Sequence, residues 1–227
     1  MVPGARLIVL GKQGAGKGTQ CVRLSRHYVV PHIATGDMLR AAVKAGTSLG
    51  REAKRYMDAG ELIPDEVVLQ LVAERLDQDD TKRRGFVLDG FPRTVVQAER
   101  LDELLRPLEL DCVVDLVVAT EVVLQRLAGR RVCADCGANY SLSAPPRVDW
   151  ICDVCGGEVV QRPDDTESAI KRRLALYEAQ TKPLVARYEA SGKLVCVDGE
   201  GSPDEVTDRL VKVVDQRLEP RLAGDTR

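Results

Sequence analysis

The sequence predicts an α/β fold built on a doubly wound parallel sheet, from the order of its apolar segments and its low aromatic content. Short β-branched runs alternate with longer amphipathic stretches, which is the pattern of strands joined by helical crossovers. Only 4% of the 227 residues are aromatic, so Val, Leu and Ala must form the core, as in parallel sheets covered by helices. The predicted strands are residues 7–10, 86–88, 113–118 and 194–197.

Charge and apolar patterning limit the class of protein. The chain has 33 Lys and Arg against 35 Asp and Glu, a net charge of −2, so its overall field does not attract polyanions and any phosphate binding must be local. It has no run of 18 apolar residues, and its first ten residues leave no room for a signal peptide. We therefore expect a cytoplasmic protein that binds no membrane.

A glycine-rich loop follows the first predicted strand directly. Residues 11–19 are Gly-Lys-Gln-Gly-Ala-Gly-Lys-Gly-Thr and lead into a helical pattern. Strand, glycine loop, lysine and helix is the context of a phosphate cradle, because backbone N–H groups converge on an anion and Lys17 adds a mobile ammonium. The usual Ser or Thr position holds Gly18, with Thr19 one place later, so a direct Mg²⁺ bond from the hydroxyl is in question. A flexible glycine turn is the alternative interpretation.

A second loop follows the predicted strand at 86–88. It contains Asp89-Gly90-Phe91-Pro92-Arg93 at the carboxyl end of a strand, where open α/β sheets bind ligands. We expect Asp89 on the metal side of a Mg²⁺-bound polyphosphate and Arg93 on a phosphate. Because Asp, Gly and Pro are also common turn residues, a purely structural turn is the alternative.

Four cysteines lie in a segment rich in Cys, Gly and Pro that cannot continue a helix and predicts a β-rich insertion. Their spacing is C-x₂-C-x₁₅-C-x₂-C, which is typical of a zinc site. Four thiolates complete a tetrahedron and leave no open position, so the predicted Zn²⁺ is structural. Disulfides and an iron site at the same sulfurs are alternatives. The predicted ligands are Cys133, Cys136, Cys152 and Cys155.

Five motifs in order resemble the adenylate kinase family over residues 5–215. They are Gly-Ala-Gly-Lys-Gly-Thr-Gln at 14–20, Ala-Thr-Gly-Asp-Met-Leu-Arg at 34–40, Asp-Gly-Phe-Pro-Arg-Thr at 89–94, Gly-Arg-Arg at 129–131 and Arg-Pro-Asp-Asp at 162–165. The resemblance implies a monomer that transfers a phosphoryl group from ATP, with Mg²⁺, to AMP and yields two ADP. Two positions depart from the family: Gln13 stands where Pro is usual, and the loop at 199–203 is one residue longer than expected.

The resemblance also implies the domain organisation. It predicts a P-loop NTPase-like core with a five-stranded sheet, a helical AMP-binding segment and a mobile zinc lid. The expected boundaries are 1–33, 65–128 and 167–218 for the core, 34–64 for the AMP-binding segment and 129–166 for the lid. Residues 219–227 are expected to form a frayed tail.

The resemblance assigns roles to residues position by position. Gln97 would recognise the adenine of AMP, and Arg126 would cover ATP. Arginines suit the transferring phosphoryl group because their planar fork binds two oxygens and keeps its charge. The expected ATP-binding residues are Gly14, Ala15, Gly16, Lys17, Gly18, Thr19, Arg126 and Gly201. The expected AMP-binding residues are Thr35, Arg40, Glu61, Leu62, Ile63, Gly90, Arg93, Gln97, Arg162 and Arg173. The expected catalytic residues are Lys17, Asp89, Arg93, Arg130, Arg162 and Arg173.

Two other functions compete with this interpretation. One is a zinc-ribbon nucleic-acid-binding protein, but residues 132–160 contain one basic residue, Arg147, against Asp135, Asp149, Asp153 and Glu158, which repels a phosphate backbone. The other is a related kinase that prefers GTP as the phosphoryl donor, or UMP or CMP as the acceptor. We expect Cys21 to pack as a small hydrophobe, and His27 and His32 to be structural.

Overall fold

The computed structural model describes residues 4–162 and 165–224. The strands are β1 (Ala5–Leu10), β2 (His32–Ala34), β3 (Gly85–Asp89), β4 (Cys112–Val117), β5 (Arg130–Cys133), β6 (Asn139–Ser141), β7 (Val159–Val160) and β8 (Leu194–Asp198). The helices are α1 (Lys17–Tyr28), α2 (Thr35–Lys44), α3 (Ser48–Ala59), α4 (Asp65–Leu76), α5 (Asp79–Arg84), α6 (Val95–Leu105), α7 (Thr120–Gly129), α8 (Glu167–Leu176), α9 (Lys182–Ala190) and α10 (Pro203–Gly224), with a π-helical turn at Tyr177–Thr181.

The main sheet confirms the predicted fold class. In the described part of the chain it contains five parallel strands in the order β2-β3-β1-β4-β8. Both faces of its central strand are buried: Leu7 and Val9 pack in one apolar cluster with α1, α7 and α10, and Ile8 and Leu10 pack in another with α4, α6 and α9. Burial on both faces explains why the strands are continuous apolar runs and do not alternate.

The strand order places a ligand-binding crevice at one edge of the sheet. β1 pairs with β3 on one side and with β4 on the other. β2 and β3 therefore lie on one side of β1, and β4 and β8 lie on the other, so the strand order reverses at β1. Parallel α/β sheets bind ligands outside the carboxyl ends of the strands at such a switch point. The loops after β1 and β3, which hold the glycine-rich motif and Asp89, both lie there.

The segment between β2 and α4 is mostly helical, as predicted. Thr47 caps α3 by accepting a hydrogen bond from the Gly50 N–H at 3.0 Å, and Gly60 ends the helix with a φ of 70°. The sequence did not predict the strand at His32–Ala34, because three residues are too few to show a periodicity.

A separate antiparallel sheet forms the predicted β-rich insertion. Within the described residues it has three strands in the order β6-β5-β7. A small apolar cluster lies beneath it, formed by Cys133, Cys152 and Val159 with Tyr140 and Trp150 against them. Such a cluster is too small to stabilise the insertion without another contribution.

The last helix is longer than the sequence suggested. The backbone is helical to Gly224, so residues 219–224 of the expected tail continue α10. Residues 225–227 of the expected tail lie outside the described residues. α10 packs along α1, where Tyr28 donates to Asp215 at 2.9 Å. Among the described helices, none combines the length and apolar character needed to cross a membrane.

Candidate active site

One large cleft lies between the carboxyl edge of the main sheet, the α2–α3 segment and the insertion. Its volume is about 1090 Å³, enough for a large ligand or two smaller ones. Every residue that the sequence predicted for nucleotide binding or for catalysis lines this cleft. The structure therefore brings together loops that are up to 190 positions apart, from Gly11 to Gly201.

The glycine-rich loop wraps around the start of α1. Gly14 and Gly16 have φ values of 86° and 102°, which side-chain-bearing residues rarely adopt, so glycine is required for this curvature. The Lys17 ammonium donates to the carbonyls of Gly11 at 2.7 Å and Lys12 at 2.8 Å. Burial lowers the pKa of Lys17 to about 8, against the nearby charge of Asp89, which acts to raise it, and with a smaller lowering contribution from Arg93. The ammonium thus lies against two carbonyls of the loop and titrates near pH 8.

Asp89 lies beside this loop at the end of β3. Burial acts to raise the pKa of Asp89, but the hydrogen bond from His32 and the charge on Lys17 outweigh it and hold the pKa below its ordinary value. The carboxylate is therefore ionised. In the following loop Arg93 donates through Nε to the Gly90 carbonyl at 2.8 Å, which directs its guanidinium along the cleft wall. Thr35 bonds the same carbonyl at 3.1 Å.

Three arginines from the insertion and α8 complete the positive wall. Arg130 binds Asp165 through two hydrogen bonds, and Arg173 lies 3.8 Å from the same carboxylate. The Asp165 side chain has no exposed area, so it neutralises part of this charge inside the protein. Arg162 of the insertion adds a third positive charge to the cleft wall and lies 3.5 Å from Asp37 of α2.

The side of the cleft next to α6 is organised around Gln97. Its amide oxygen accepts from the Arg93 N–H at 2.7 Å, and its amide nitrogen donates to Asp65 at 2.7 Å. These two bonds identify which amide atom is the oxygen and which is the nitrogen. One N–H of the nitrogen and one lone pair of the oxygen remain for a ligand. A purine edge needs such a donor and acceptor pair.

On the opposite side, Arg126 connects two loops. It donates to the Ala15 carbonyl at 3.1 Å and to the Gly199 carbonyl at 3.2 Å. A Cβ at Gly199 would lie 2.7 Å from Val118 and 2.8 Å from Leu116, so only glycine fits this close approach. The turn that contains Gly201 is thereby held at the rim of the cleft.

The four cysteines of the insertion converge as their spacing predicted. Their sulfur atoms all lie within 4.8 Å of one another. Cys133 and Cys155 are 3.4 Å apart and Cys136 and Cys152 are 3.5 Å apart, compared with about 2.05 Å for a disulfide and about 3.8 Å between thiolates on a tetrahedral Zn²⁺. The N–H of Asp135 points to the Cys133 sulfur at 3.4 Å. The cluster is therefore compatible with a tetrahedral zinc ion, and its sulfur atoms are not bonded in pairs.

Comparison with known proteins decides the family. The family model for adenylate kinase matches residues 9–193. A curated adenylate kinase from Thermodesulfovibrio yellowstonii is 51% identical over 215 residues, which is 93% of this chain and 100% of the relative. One from Syntrophobacter fumaroxidans is 51% identical over 211 residues, which is 92% and 99%, and one from Acetivibrio thermocellus is 49% identical over 212 residues, which is 92% and 97%.

The chain belongs to the adenylate kinase family. Members of this family are nucleoside monophosphate kinases, which are phosphotransferases, so the leading prediction from the sequence is confirmed. A nucleic-acid-binding protein that uses nucleotide only as a switch was the competing hypothesis, and the family match favours the kinase over it.

Sequence reasoning missed several residues of this adenylate kinase cleft. Asp165 belongs to the Arg-Pro-Asp-Asp motif, but the sequence assigns it no role. Pro163 and Asp164 of the same motif lie outside the described residues. Gln13 was noted only as a departure from the family. Its amide nitrogen lies 3.3 Å from Asp165, and with the amide turned its oxygen accepts from Arg130 at 3.0 Å and Arg173 at 2.8 Å. No pattern in the sequence signals these long-range contacts.

A contact between the insertion and α2 also escaped prediction. The Lys44 ammonium donates to Asp135 at 3.1 Å and to the Ala134 carbonyl at 3.2 Å. Asp135 lies between two of the clustered cysteines, so this bond connects the cysteine cluster to the α2–α3 segment.

Proposed function

We propose that this chain transfers the γ-phosphoryl group of ATP to AMP and so interconverts ATP, AMP and ADP to maintain adenine nucleotide balance. The observation that carries the proposal is the shared cleft, in which a phosphate loop, an ionised carboxylate and a wall of arginines face one another. A transferring phosphoryl group carries its charge on its equatorial oxygens, so positioned cations do most of the catalysis and no strong base is needed.

The ATP side of the cleft would be the glycine-rich loop. Backbone N–H groups from Gly14 to Thr19 would bind the β and γ phosphates, together with the Lys17 ammonium. Arg126 and the turn at Gly201 would cover the adenine. A polyphosphate would replace the carbonyls of Gly11 and Lys12 as partners of Lys17 and would restore its full charge.

The AMP side would be the α2–α3 segment with the loop after β3. Thr35, Arg40 and the backbone of residues 61–63 would hold the nucleotide, with Gly90 beside them. Arg93 would bind its phosphate, and Gln97 would recognise its adenine through the free donor and acceptor of its amide.

The arginines between the two sides would stabilise the reaction itself. Arg130, Arg162 and Arg173 would bind oxygens of the group in flight, and the buried Asp165 holds Arg130 in place until the substrates arrive. Asp89 fits a hard cation because it is a low-pKa carboxylate at the phosphate loop. Mg²⁺ held there would supply neutralisation of the phosphate charge.

The same proposal assigns the parts of the chain. The core would span 1–33, 65–128 and 167–218, the AMP-binding segment 34–64, and the lid 129–166. The sulfur geometry supports a structural Zn²⁺ on Cys133, Cys136, Cys152 and Cys155, which would hold the lid together while it excludes water from the transfer. Such thiolates persist in a reducing compartment, in keeping with the cytoplasmic location that we propose for this chain, which we expect to be a monomer.

One assay tests this function. ADP formation is measured with ATP and each of AMP, GMP, CMP and UMP in turn, then with GTP in place of ATP, on protein whose metal content has been analysed. We expect ADP with ATP and AMP, a large loss of turnover in Lys17→Met without loss of folding, and one zinc per chain in the lid. Transfer to CMP or UMP in preference to AMP would replace the proposal with a pyrimidine kinase, and no transfer to any acceptor would refute it.

A further inference from the structure

A second group of metal-ligating side chains lies at the floor of the cleft, apart from the four clustered cysteines. It consists of Cys21 on α1, His32 on β2 and Asp89 at the end of β3. One ligand atom of each residue lies within 4.8 Å of the other two. The proposed phosphoryl transfer uses only Asp89, so it gives no reason for a thiol and an imidazole to stand beside it.

The spacing of two of these atoms, which form a long hydrogen bond in this structure, also suits a shared ion. His32 Nε2 and Asp89 Oδ2 are 3.4 Å apart, whereas good N–H···O hydrogen bonds are about 2.9 Å long. On a tetrahedral zinc ion, with Zn–N and Zn–O bonds of about 2.0–2.2 Å, a nitrogen and an oxygen ligand are about 3.4 Å apart. The two side chains thus already hold the separation that zinc requires.

The donor atoms select the class of cation. Sulfur, imidazole nitrogen and carboxylate oxygen together are ligands for Zn²⁺ and similar borderline metals, whereas Mg²⁺ takes oxygen. Three protein ligands leave a fourth position for water, as in open zinc sites. The side chains of His32 and Asp89 are 19% and 15% exposed, and Asp89 lines the cleft, so an ion can enter from the nucleotide side. Cys21 is fully buried behind them.

We propose that Cys21, His32 and Asp89 form a second site for Zn²⁺ or a related borderline divalent cation, and that its occupation inhibits phosphoryl transfer. The ion takes the carboxylate that would serve Mg²⁺ with ATP. Binding releases the Cys21 proton to solvent, so it adds one net positive charge beside Lys17. Repulsion by Lys17 and the smaller number of thiolates make the site weaker than the four-cysteine cluster. The inhibition rests on the proposed function; the binding does not.

The binding is tested without any measurement of activity. Protein with a zinc-filled lid is dialysed against buffered free Zn²⁺ in the absence of nucleotide, and Co²⁺ is added to a parallel sample to detect the charge-transfer absorption of a cobalt–thiolate bond. We expect one ion beyond the lid ion and a new thiolate band. Cys21→Ala should weaken this binding at least about tenfold, since even loss of an outer-shell partner of a metal site costs that much.

The matched control is Cys112→Ala, which removes another fully buried thiol, from β4, without touching His32 or Asp89. It should bind the second ion as the unmodified chain does. If Cys21→Ala fails to fold, His32→Gln provides the same binding test. Equal binding in the unmodified chain and in the ligand variants, or no ion beyond that of the lid, would overturn the proposal.

The inhibition is tested separately in the kinase assay. Free Zn²⁺ should inhibit the unmodified chain and Cys112→Ala in competition with ATP and Mg²⁺, and Cys21→Ala should need at least about tenfold more. Zinc binding that leaves the rate unchanged would overturn the inhibitory role alone. Absence of all kinase activity would count against the proposed function, while the dialysis and the cobalt spectrum would still decide the site.

Discussion

Binding of ATP to this chain should take up protons from the solvent near pH 8, because of Lys17. Burial lowers the pKa of Lys17 to about 8 in the free protein. A polyphosphate beside the ammonium favours its charged form and raises the pKa again. Binding of one ATP should therefore cause Lys17 to take up about 0.1 proton at pH 7, about 0.5 at pH 8 and about 0.9 at pH 9. Since the complex then holds more protons than the free partners, the affinity for ATP falls as the pH rises through 8.

Titration calorimetry in buffers of different ionisation enthalpy measures this uptake directly. The heat of binding of ATP with Mg²⁺ is plotted against the buffer enthalpy at pH 7, 8 and 9, and the slope gives the number of protons. Measurements at pH 8 and above avoid the terminal phosphate, whose pKa is about 6. Lys17→Arg is the control, because it keeps the charge but has no proton to gain. A slope of zero at pH 8 in the unmodified chain, or an equal slope in the control, would refute the argument.

Three further outcomes are expected. Removal of the zinc ion that we propose on the four cysteines should abolish ordered packing around Trp150 while far-ultraviolet circular dichroism of the rest of the chain persists, because structural zinc contributes about 10–16 kcal/mol in peptide systems; one melt at an unchanged temperature would contradict this. Addition of ATP with AMP should change the emission of Trp150, the only tryptophan, and constant emission would count against lid closure. Gln13→Ala should lower kcat at least about tenfold and lower the melting temperature by a few degrees, because Arg130 and Arg173 lose an orienting hydrogen bond of a kind worth about 1.5–3 kcal/mol; an unaltered kcat would remove Gln13 from the site.

The parts of this protein that could be predicted from sequence are those with local causes. Strands buried on both faces are continuous apolar runs, so β1, β3, β4 and β8 were found with errors of one or two residues at their ends. The glycine-rich loop and the paired cysteines have fixed spacings, which is why the loop at the start of α1 and the sulfur cluster were predicted correctly as structural features.

The parts that escaped prediction have causes far apart in the chain. Asp165 is ordinary in sequence and becomes significant only because folding buries it against Arg130. The meeting of Cys21 with His32 and Asp89 depends on the pairing of β2 with β3, and β2 is too short to be recognised. His32 was expected to be structural because no cysteine or carboxylate stands near it in sequence.

The bond between Lys44 and Asp135 has a consequence for the motion of the parts that it joins. It connects the cysteine-bearing insertion to α2, so these two parts cannot separate at this point while the bond holds. Both side chains are largely exposed, at 66% and 62%, which limits such a bond to about 0.2–1 kcal/mol and subjects it to screening by salt. The contact is thus weak enough to break readily, and added salt should loosen the insertion from α2.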